Sequence, residues 1–480
     1  MFSKLYKILF PDEAPERQKV LLVGSFVLVL FITIVAVFAP WKITVGVIAT
    51  ISALLLFFRF INFGFYLMVL VYPFMFLELF IGREINIPYV DLIAMFVFVA
   101  WVLRSIFLPP HGGLKFLKEW GKGSKMSLEN FPGFLFFLFF LIICLISLVN
   151  SEYLAVSVKY IFRYVIFFYL MFVVLPYNVI NSRKTLFRVF WILFGVGLFV
   201  SFMGLWSVVF SVVGGPIRRA VPVEIFGVSI LGTNHNLIAE VLITVVPICF
   251  ILIWETNRIW LKKFLIVSLL LMITINILTL SRTGWIALTF ELFAIFLIKY
   301  RSNIKNYFKL SSIVAIIILP LFIYGYVFLT SNLVKDSTEN RWQLLKISLD
   351  IFYDYPIVGG GIGTFVEQVS QNKLYIYEYG RPTEAHGLVQ KILAETGILG
   401  FLSFFVFLGY ILLKIIKIYR KIPNESPLKD VIFIMIVSSF GGCIFQFFQT
   451  SHFQSSFWLP IGIALAAVRL VEENFSNNFN

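Results

Sequence analysis

The sequence has few charged residues. Asp, Glu, Lys and Arg make up 13% of its 480 residues, against roughly a quarter in an average soluble domain. Apolar residues make up 60% and aromatic residues 18%. Apolar runs of about 18 residues or more, long enough to cross a bilayer, recur from end to end of the chain. This composition excludes a soluble globular protein and predicts one all-α polytopic membrane protein.

Cysteine and acidic residues are also scarce. The three cysteines, Cys144, Cys249 and Cys443, all fall within apolar runs, so they cannot form a disulfide framework. The sequence has no HExxH motif and no cluster of Cys and His with metal-binding spacing, so we expect neither a metal nor a cofactor. Acidic residues number 25 against 39 basic residues, which gives a net charge of +14. We attribute this excess to cytoplasmic loops and not to nucleic acid binding.

Hydropathy predicts about fourteen spans. The first apolar run, 20–38, is longer than the hydrophobic region of a signal peptide, so we interpret it as an uncleaved span. With the N-terminus in the cytoplasm, about two thirds of the Lys and Arg residues fall in cytoplasmic segments, which predicts an even number of spans and cytoplasmic termini. The predicted spans are 20–38, 43–58, 63–81, 89–108, 132–149, 158–178, 189–212, 235–254, 264–281, 284–299, 311–330, 398–416, 431–449 and 456–470.

Two external loops, 214–234 and 331–397, separate these spans. Loops longer than about 15 residues are usually functional or disordered, and 331–397 is too aromatic and too rich in glycine to be disordered. We expect it to contain amphipathic helices. We divide the chain into an N-terminal transmembrane region, 1–230, and a C-terminal transmembrane region, 231–480, that carries this loop.

Basic residues on the external side oppose the positive-inside rule, and their presence there indicates an anion-binding site. Lys159 and Arg163 are four residues apart and so share one helix face just below the outer surface. They predict either a diphosphate site, because a guanidinium offers a planar donor fork to phosphate oxygens, or an internal ion pair with Glu291 or Glu240. The remaining external basic candidates are Arg218, Arg219, Arg282, Arg341 and Arg381.

External histidines add groups that can exchange protons. His386 stands in Glu384-Ala385-His386-Gly387 near Arg381, where an imidazole of ordinary pKa, about 6.5, can act as a general base or a donor. His235 and His452 also fall at external span ends, whereas His111 lies in a cytoplasmic loop. These external histidines are candidates for one outer pocket.

Two further patterns in 331–397 have competing interpretations. The glycines of Gly359-Gly360-Gly361-Ile362-Gly363 could cradle a phosphate, but no Gly-Lys-Ser/Thr follows them, so we favour a tight turn. The tyrosines at 375, 377 and 379 could stack on sugars, but their alternation favours a strand that packs one apolar face.

Several motifs resemble a known family. The segments RWQLLKISLDIFYDYPIVGGGIGTF, 341–365, and HGLVQKILAETGILG, 386–400, look like the C-terminal signature of the bacterial O-antigen ligase and O-antigen polymerase (Wzy-like) superfamily. Upstream, LGTNHNLIA at 231–239 with Pro247, and LSRTG at 280–284, are similar to its two other recurring segments. The resemblance covers roughly residues 230–400.

The resemblance implies a metal-independent inner-membrane glycosyltransferase of the GT-C type. Such enzymes take a glycan from undecaprenyl diphosphate on the periplasmic side. A polymerase transfers it to another undecaprenyl-linked glycan, and a ligase transfers it to the lipid A core. Membrane lipids, and for a polymerase a chain-length regulator protein, are the expected further partners, and nucleic acid is not. His386, Arg282 and Arg341 match the family's functional His and Arg, and His235 and Asn236 lie in a family motif.

Two departures from the ligase pattern favour the polymerase slightly. Gly387 follows His386 where enterobacterial-type ligases have Asn, Ser or Gln, and Gly397 leads into Ile398-Leu399-Gly400 rather than Gly-x-x-Thr-Thr. About fourteen spans also resemble polymerases more than ligases. In both cases we expect arginines to stabilise the leaving diphosphate, His386 to accept the hydroxyl proton and Glu384 to orient or replace it. A lipid-linked-oligosaccharide flippase, with Glu291 near mid-span, is the rival from another functional class.

Overall fold

The structure is a computed structural model that describes residues 41–81, 85–107, 128–210, 218–299, 332–423, 426–449 and 454–477. The predicted spans 20–38 and 311–330 lie outside the described residues, as do His111 and His452.

The protein is a predominantly helical, multi-pass membrane protein, as the composition predicts. Within the described residues, seven helices are long and apolar enough to cross a membrane, or eight if the bent pair Val45–Arg59 and Ile61–Val71 forms one span. The helices, in chain order, are α1 Trp41–Arg59, α2 Ile61–Val71, α3 Tyr89–Phe107, α4 Phe134–Ile146, α5 Leu154–Val179, α6 Arg183–Val209, α7 His235–Glu255, α8 Ile259–Leu278, α9 Arg282–Lys299, α10 Asn332–Asp354, α11 Phe365–Gln371, α12 Lys373–Tyr379, α13 Leu388–Lys421, α14 Pro427–Phe447 and α15 Ser455–Asn477.

The predicted span 63–81 is wrong in its second half. Helix α2 ends at Val71, and the chain then forms an antiparallel hairpin of β1, Glu78–Ile81, and β2, Ile85–Pro88. Because the apolar residues of short strands and helices do not differ in hydropathy, a continuous apolar run did not reveal the hairpin.

Residue contacts divide the chain into two compact units. One comprises Met1–Gly64 with Met95–Ser127, and the other comprises Phe65–Ala94 with Leu128–Asn480. Within the larger unit, α7 is the central helix and packs against α6, α8, α9 and α14. The sequence-based division at residue 230 stays a prediction.

Small residues allow these helices to approach closely. A Cβ on Gly197 of α6 would lie 2.6 Å from Val245 of α7, and a Cβ on Gly284 of α9 would lie 2.8 Å from Ala239 of α7. Close backbone approach at small residues is the usual way in which membrane helices associate. The packing at Gly284 fixes the first turn of α9 against the first turns of α7.

The segment 331–397 contains the helices α10, α11 and α12, in agreement with the prediction of amphipathic helices. The predicted strand at the three tyrosines is wrong, because Lys373–Tyr379 is a helix. Asn372 begins that helix by accepting a hydrogen bond from the Tyr375 amide at 3.0 Å. Tyr375 is buried and its ring lies 4.8 Å from the ring of Tyr379, whereas Tyr377 is 93% exposed.

Helix α13 is broken at Gly397, whose φ is +64°. The loop after α10 satisfies the backbone groups that the break exposes. The amides of Gly360 and Gly361 donate to the carbonyls of Ala394 and Glu395, at 2.9 and 3.1 Å. Beyond the break, the amide of Ile398 donates to a loop carbonyl at 2.9 Å. The part of α13 after Gly397 begins where the predicted span 398–416 begins, and Leu388–Thr396 forms a separate helical segment before it.

Candidate functional site

A cavity of about 280 Å³ lies where the first residues of α7 and α9 meet α10 and the loop before α13. Six of its lining residues are candidates from the sequence. The lining residues are Arg219, Asn234, His235, Asn236, Leu280, Ser281, Arg282, Thr283, Ser337, Asn340, Arg341 and His386.

The first turns of two long helices border the cavity. Asn234 begins α7 and its side-chain oxygen accepts a hydrogen bond from the Asn236 amide at 2.9 Å. Ser281 precedes α9 and its hydroxyl accepts from the Gly284 amide at 3.2 Å. These side chains cap amide groups that a helix N-terminus leaves without an intrahelical partner, and the N-terminus as a whole still carries a partial positive charge. Both helix ends therefore favour an anion in the cavity.

Arg282 and Arg341 enter the cavity from different helices. Arg282 is the first residue of α9, and its Nη1 donates to the Thr338 hydroxyl of α10 at 3.0 Å. Arg341 lies one turn further along α10, next to Asn340. Arg282 lies close enough to Arg341 that its charge contributes, after burial, to the lowered pKa of Arg341.

The third arginine, Arg219, comes from the loop that follows α6. The amide of the next residue, Ala220, donates to the Leu278 carbonyl at the end of α8, at 2.8 Å. The amide of Val221 donates to the Ser207 hydroxyl of α6, at 2.9 Å. These two bonds hold the loop against α6 and α8 and place Arg219 in the cavity.

His386 reaches the cavity in a strained backbone conformation. Its φ is +52°, and Leu280, another lining residue, has φ +56°. Residues other than glycine rarely adopt this left-handed conformation, which costs roughly 1–2 kcal/mol. The Nδ1 atom of His386 is buried and has no hydrogen-bond partner among the described residues. The imidazole therefore lies at the cavity with its Nδ1 atom not bound by any described protein group.

The cavity is strongly positive. It contains three arginines, and none of its described lining residues is Asp or Glu. Burial, and next the guanidinium of Arg282, lower the pKa of Arg341 to about 10. Burial, and next the charge of Arg341, lower the pKa of His386 to about 4, while Glu384 opposes this shift. Burial also lowers the pKa of Arg219. At neutral pH the arginines are charged and the His386 imidazole is neutral.

The structure places the other candidates elsewhere. Arg381 and Lys159 are exposed and do not line the cavity, and neither does the exposed Arg218. Glu384 is bound to Lys391, with its Oε2 atom 2.6 Å from the Lys391 Nζ. Its carboxylate is therefore engaged two residues before His386 instead of facing the cavity.

Arg163 forms an ion pair, but not with either predicted partner. Its Nη2 atom lies 3.3 Å from the Oδ2 of Asp91, a buried residue of α3. Glu240 instead accepts hydrogen bonds from Gln446 and Ser456, at 3.0 and 2.7 Å. Glu291 is fully buried, and its carboxylate has no hydrogen-bond partner among the described residues. The ion-pair interpretation of Arg163 therefore holds with a different carboxylate.

Several neutral lining residues were missed by the sequence analysis. Asn340 and Arg341 follow Ser337 by three and four residues, so all three lie on one side of α10. The helical spacing around Arg341 was the signal that could have identified Ser337. Asn234, Ser281 and Thr283 adjoin residues that the motifs already marked.

The part of the chain that supplies most of this site resembles a known family. Residues 267–405, less than a third of the chain, match the family model Wzy_C, described as O-antigen ligase. This segment matches an O-antigen ligase family domain. The domain contributes Arg282, Arg341 and His386 to the cavity, whereas Arg219 and His235 precede it in the chain. The resemblance identified from the motifs is thereby confirmed, and the protein is a polysaccharide-related membrane enzyme.

Two other comparisons are less informative about this chain than the family match. No curated protein matches the chain significantly. A chain of a solved structure described as "Structural coordination of polymerization and crosslinking by a peptidoglycan synthase complex" is 15% identical, with a TM-score of 0.39. That likeness covers 70% of this chain and 97% of the other. Among the described residues, no group of three or more His, Cys, Asp or Glu residues is arranged to hold a metal ion.

Proposed function

We propose that the protein is a GT-C type glycosyltransferase that transfers a glycan from undecaprenyl diphosphate to a sugar hydroxyl on the periplasmic side of the bacterial inner membrane. One observation carries the proposal. The cavity joins Arg219, Arg282 and Arg341 with the first turns of two long helices and has no Asp or Glu among its described lining residues. Such a site suits a ligand with several negative charges, and a diphosphate is that ligand in the O-antigen ligase family.

The arginines would act on the leaving group. In a direct displacement, the acceptor oxygen bonds to the anomeric carbon, and the bond from that carbon to the diphosphate breaks with its electron pair passing to the diphosphate. The guanidinium groups stabilise this developing charge, an effect commonly worth about 3 kcal/mol per donor. Since the product diphosphate is itself stable as an anion, its departure needs no strong general acid. A single displacement inverts the anomeric configuration.

His386 would take the proton from the acceptor hydroxyl. Its imidazole is neutral at pH 7 because its pKa is about 4. A diphosphate bound among the arginines would raise this pKa towards neutrality and so make the imidazole a stronger base as the substrate binds. His235 is the second imidazole that lines the cavity. Because the Glu384 carboxylate is already bound by Lys391, we propose that Glu384 orients His386 and does not transfer the proton.

The acceptor distinguishes two forms of this function. We favour a polysaccharide polymerase, in which the acceptor is the sugar end of a second undecaprenyl-linked glycan and a chain-length regulator is a further partner. The alternative is an O-antigen ligase, in which the acceptor is the lipid A core. A lipid-linked-oligosaccharide flippase is supported by one observation, which is the fully buried Glu291 of α9, whose carboxylate has no hydrogen-bond partner among the described residues.

The test is a reaction of the purified protein with a synthetic undecaprenyl-diphosphate oligosaccharide, first alone and then with a lipid A core acceptor. A ladder of products from the donor alone supports the polymerase, and one transferred product that needs the lipid A core supports the ligase. We expect Arg282→Ala and Arg341→Ala to lower kcat/KM by about 10²–10³-fold. Arg381→Ala is the matched control, because Arg381 is external and exposed but outside the cavity, and it should change kcat/KM less than threefold.

The same preparations can exclude the proposal. If neither acceptor yields a product but the protein moves the lipid-linked donor between leaflets of a vesicle, the flippase is the correct function. If Arg381→Ala lowers the rate as much as Arg282→Ala does, the cavity is not the catalytic site.

A further inference from the structure

The loop that carries His386 is tied to the helices around it at the three consecutive positions before that residue. Tyr375 of α12 shares a hydrogen bond with the Thr383 hydroxyl at 2.7 Å. Lys391 of α13 binds the Glu384 carboxylate at 2.6 Å. The side-chain amide of Gln390 donates to the Ala385 carbonyl. None of these bonds involves the imidazole, so the loop is fixed around His386 and not through it.

Lys391 is unusual among these anchors because it is a charged side chain that is only 1% exposed. Its Nζ lies 2.6 Å from Glu384 and 3.6 Å from Glu395, and the ammonium is 5.3 Å from the centre of the Tyr160 ring. A buried ammonium is costly unless it is paired and surrounded by acceptors. The two carboxylates compensate this cost only while the Glu384 loop stays folded against α13.

Glu395 connects the same group to the rest of the fold. One of its carboxylate oxygens accepts the amide of Phe365, the first residue of α11, at 3.1 Å. Its backbone carbonyl accepts the amide of Gly361 at 3.1 Å. Glu395 is therefore held in place independently of Lys391. Through its pairing with Glu384, Lys391 joins the loop of His386 to this fixed part of α13.

We propose that Lys391 is a positioning residue that holds His386 in its left-handed conformation at the cavity by binding the carboxylate of Glu384. The inference rests on the proposed function for its catalytic consequence but not for its structural content. His386 holds a strained backbone conformation, and the buried ion pair of Lys391 with the neighbouring Glu384 opposes relaxation of that strain. Loss of the pair frees His386 to leave the cavity while the arginines stay where they are.

The test measures the histidine directly. Diethyl pyrocarbonate modifies neutral imidazoles, and mass spectrometry of the full-length purified protein reports the modification rates of His386 and His235 separately. In Lys391→Met, we expect the rate at His386 to rise at least fivefold at pH 7.5 and to fall below pH 7, as for an exposed histidine of ordinary pKa. In the wild type the rate should be slow and almost independent of pH between 5 and 8, because the pKa of His386 is about 4.

Two variants serve as controls, and a third tests the same contact from its other side. Lys391→Arg keeps the charge and should stay within twofold of the wild type. Lys346→Met removes an exposed lysine of α10 and should leave His386 unchanged. Glu384→Gln removes the anchoring charge but leaves Lys391 paired with Glu395, so it tests the same contact if Lys391→Met does not fold. The rate at His235 should not change in any variant that keeps the wild-type melting temperature.

The outcomes separate this inference from the proposed function. If His386 is modified at the wild-type rate in folded Lys391→Met and in Glu384→Gln, Lys391 does not position it and the inference is overturned. If the modification rate rises as expected, kcat should fall about tenfold with KM for the undecaprenyl-diphosphate oligosaccharide within twofold. A raised modification rate with an unchanged kcat would uphold the positioning role of Lys391 and reject His386 as the base.

Discussion

The glycine-rich turn Gly359–Gly363 and the arginines of the cavity both suggest phosphate binding when only the sequence is considered. In the structure they differ in whether other protein groups already bind their hydrogen-bond donors. The amides of Gly359, Gly360 and Gly361 all donate to protein carbonyls. The amide of Ile362 donates to the Ser147 hydroxyl. No described carboxylate forms an ion pair with the cavity arginines. The turn is therefore a packing element, whereas the arginines of the cavity have no carboxylate partner among the described residues and can bind an anionic ligand.

This contrast gives a general criterion. A donor that the fold itself satisfies stabilises the protein, and its removal should lower the melting temperature. A donor that the fold positions but leaves without an anionic partner serves a ligand, and its removal should lower activity. Arg163 belongs with the first group, because Asp91 pairs with it, whereas Arg282 and Arg341 belong with the second.

The largest effect on stability should come from adding a side chain at the glycine-rich turn, where no space is available for it. In Gly359→Ala the new Cβ would lie 2.3 Å from the backbone of Glu395 at a residue whose φ is +75°. We expect a loss of stability of about 3 kcal/mol or more, because backbone atoms cannot move aside. The matched control is Gly380→Ala, where φ is +78° but no atom lies within 4 Å, and where only the backbone strain of about 1 kcal/mol applies.

Thermal unfolding of the purified variants, followed by intrinsic fluorescence, measures this difference. Gly359→Ala should melt well below Gly380→Ala. Equal melting temperatures would mean that the turn is not packed as described, and its glycines would again be candidates for phosphate binding.

The sequence was most informative where a single physical property determines the local structure. Hydropathy predicted the helices α6, α7, α8 and α13, because apolar length decides whether a segment crosses a bilayer. It failed at the hairpin of β1 and β2, where an apolar run holds two different structures. The motifs identified Arg282, Arg341 and the two histidines of the cavity, and the pattern of external basic residues added Arg219. They did not identify Lys391, because the pairing with Glu384 depends on how α13 folds back against the loop.

A smaller effect tests the charge inside the cavity. Neutral His386 is required if it is a base, so kcat/KM should fall as the pH drops through its pKa, which is about 4 in the free protein. Arg341→Gln removes a positive charge that lowers this pKa. The acid limb of the kcat/KM profile should therefore move to higher pH, and the maximal kcat/KM at neutral pH should fall. Lys346→Gln, on the exposed side of α10, should leave the limb in place. A limb near 6.5 in the wild type would contradict the buried, positively charged setting of the imidazole.

The smallest effect on activity should come from the arginine that the fold already satisfies. Asp91→Asn removes the carboxylate that lies 3.3 Å from Arg163. Because Arg163 is only partly buried, we expect a loss of about 1–2 kcal/mol of stability and a kcat/KM within threefold of the wild type. Arg282→Ala should show the reverse, with a large loss of activity and a small change in melting temperature. A hundredfold loss of activity in a stable Asp91→Asn protein would place Arg163 among the functional residues, since the ion pair would then position it for a ligand.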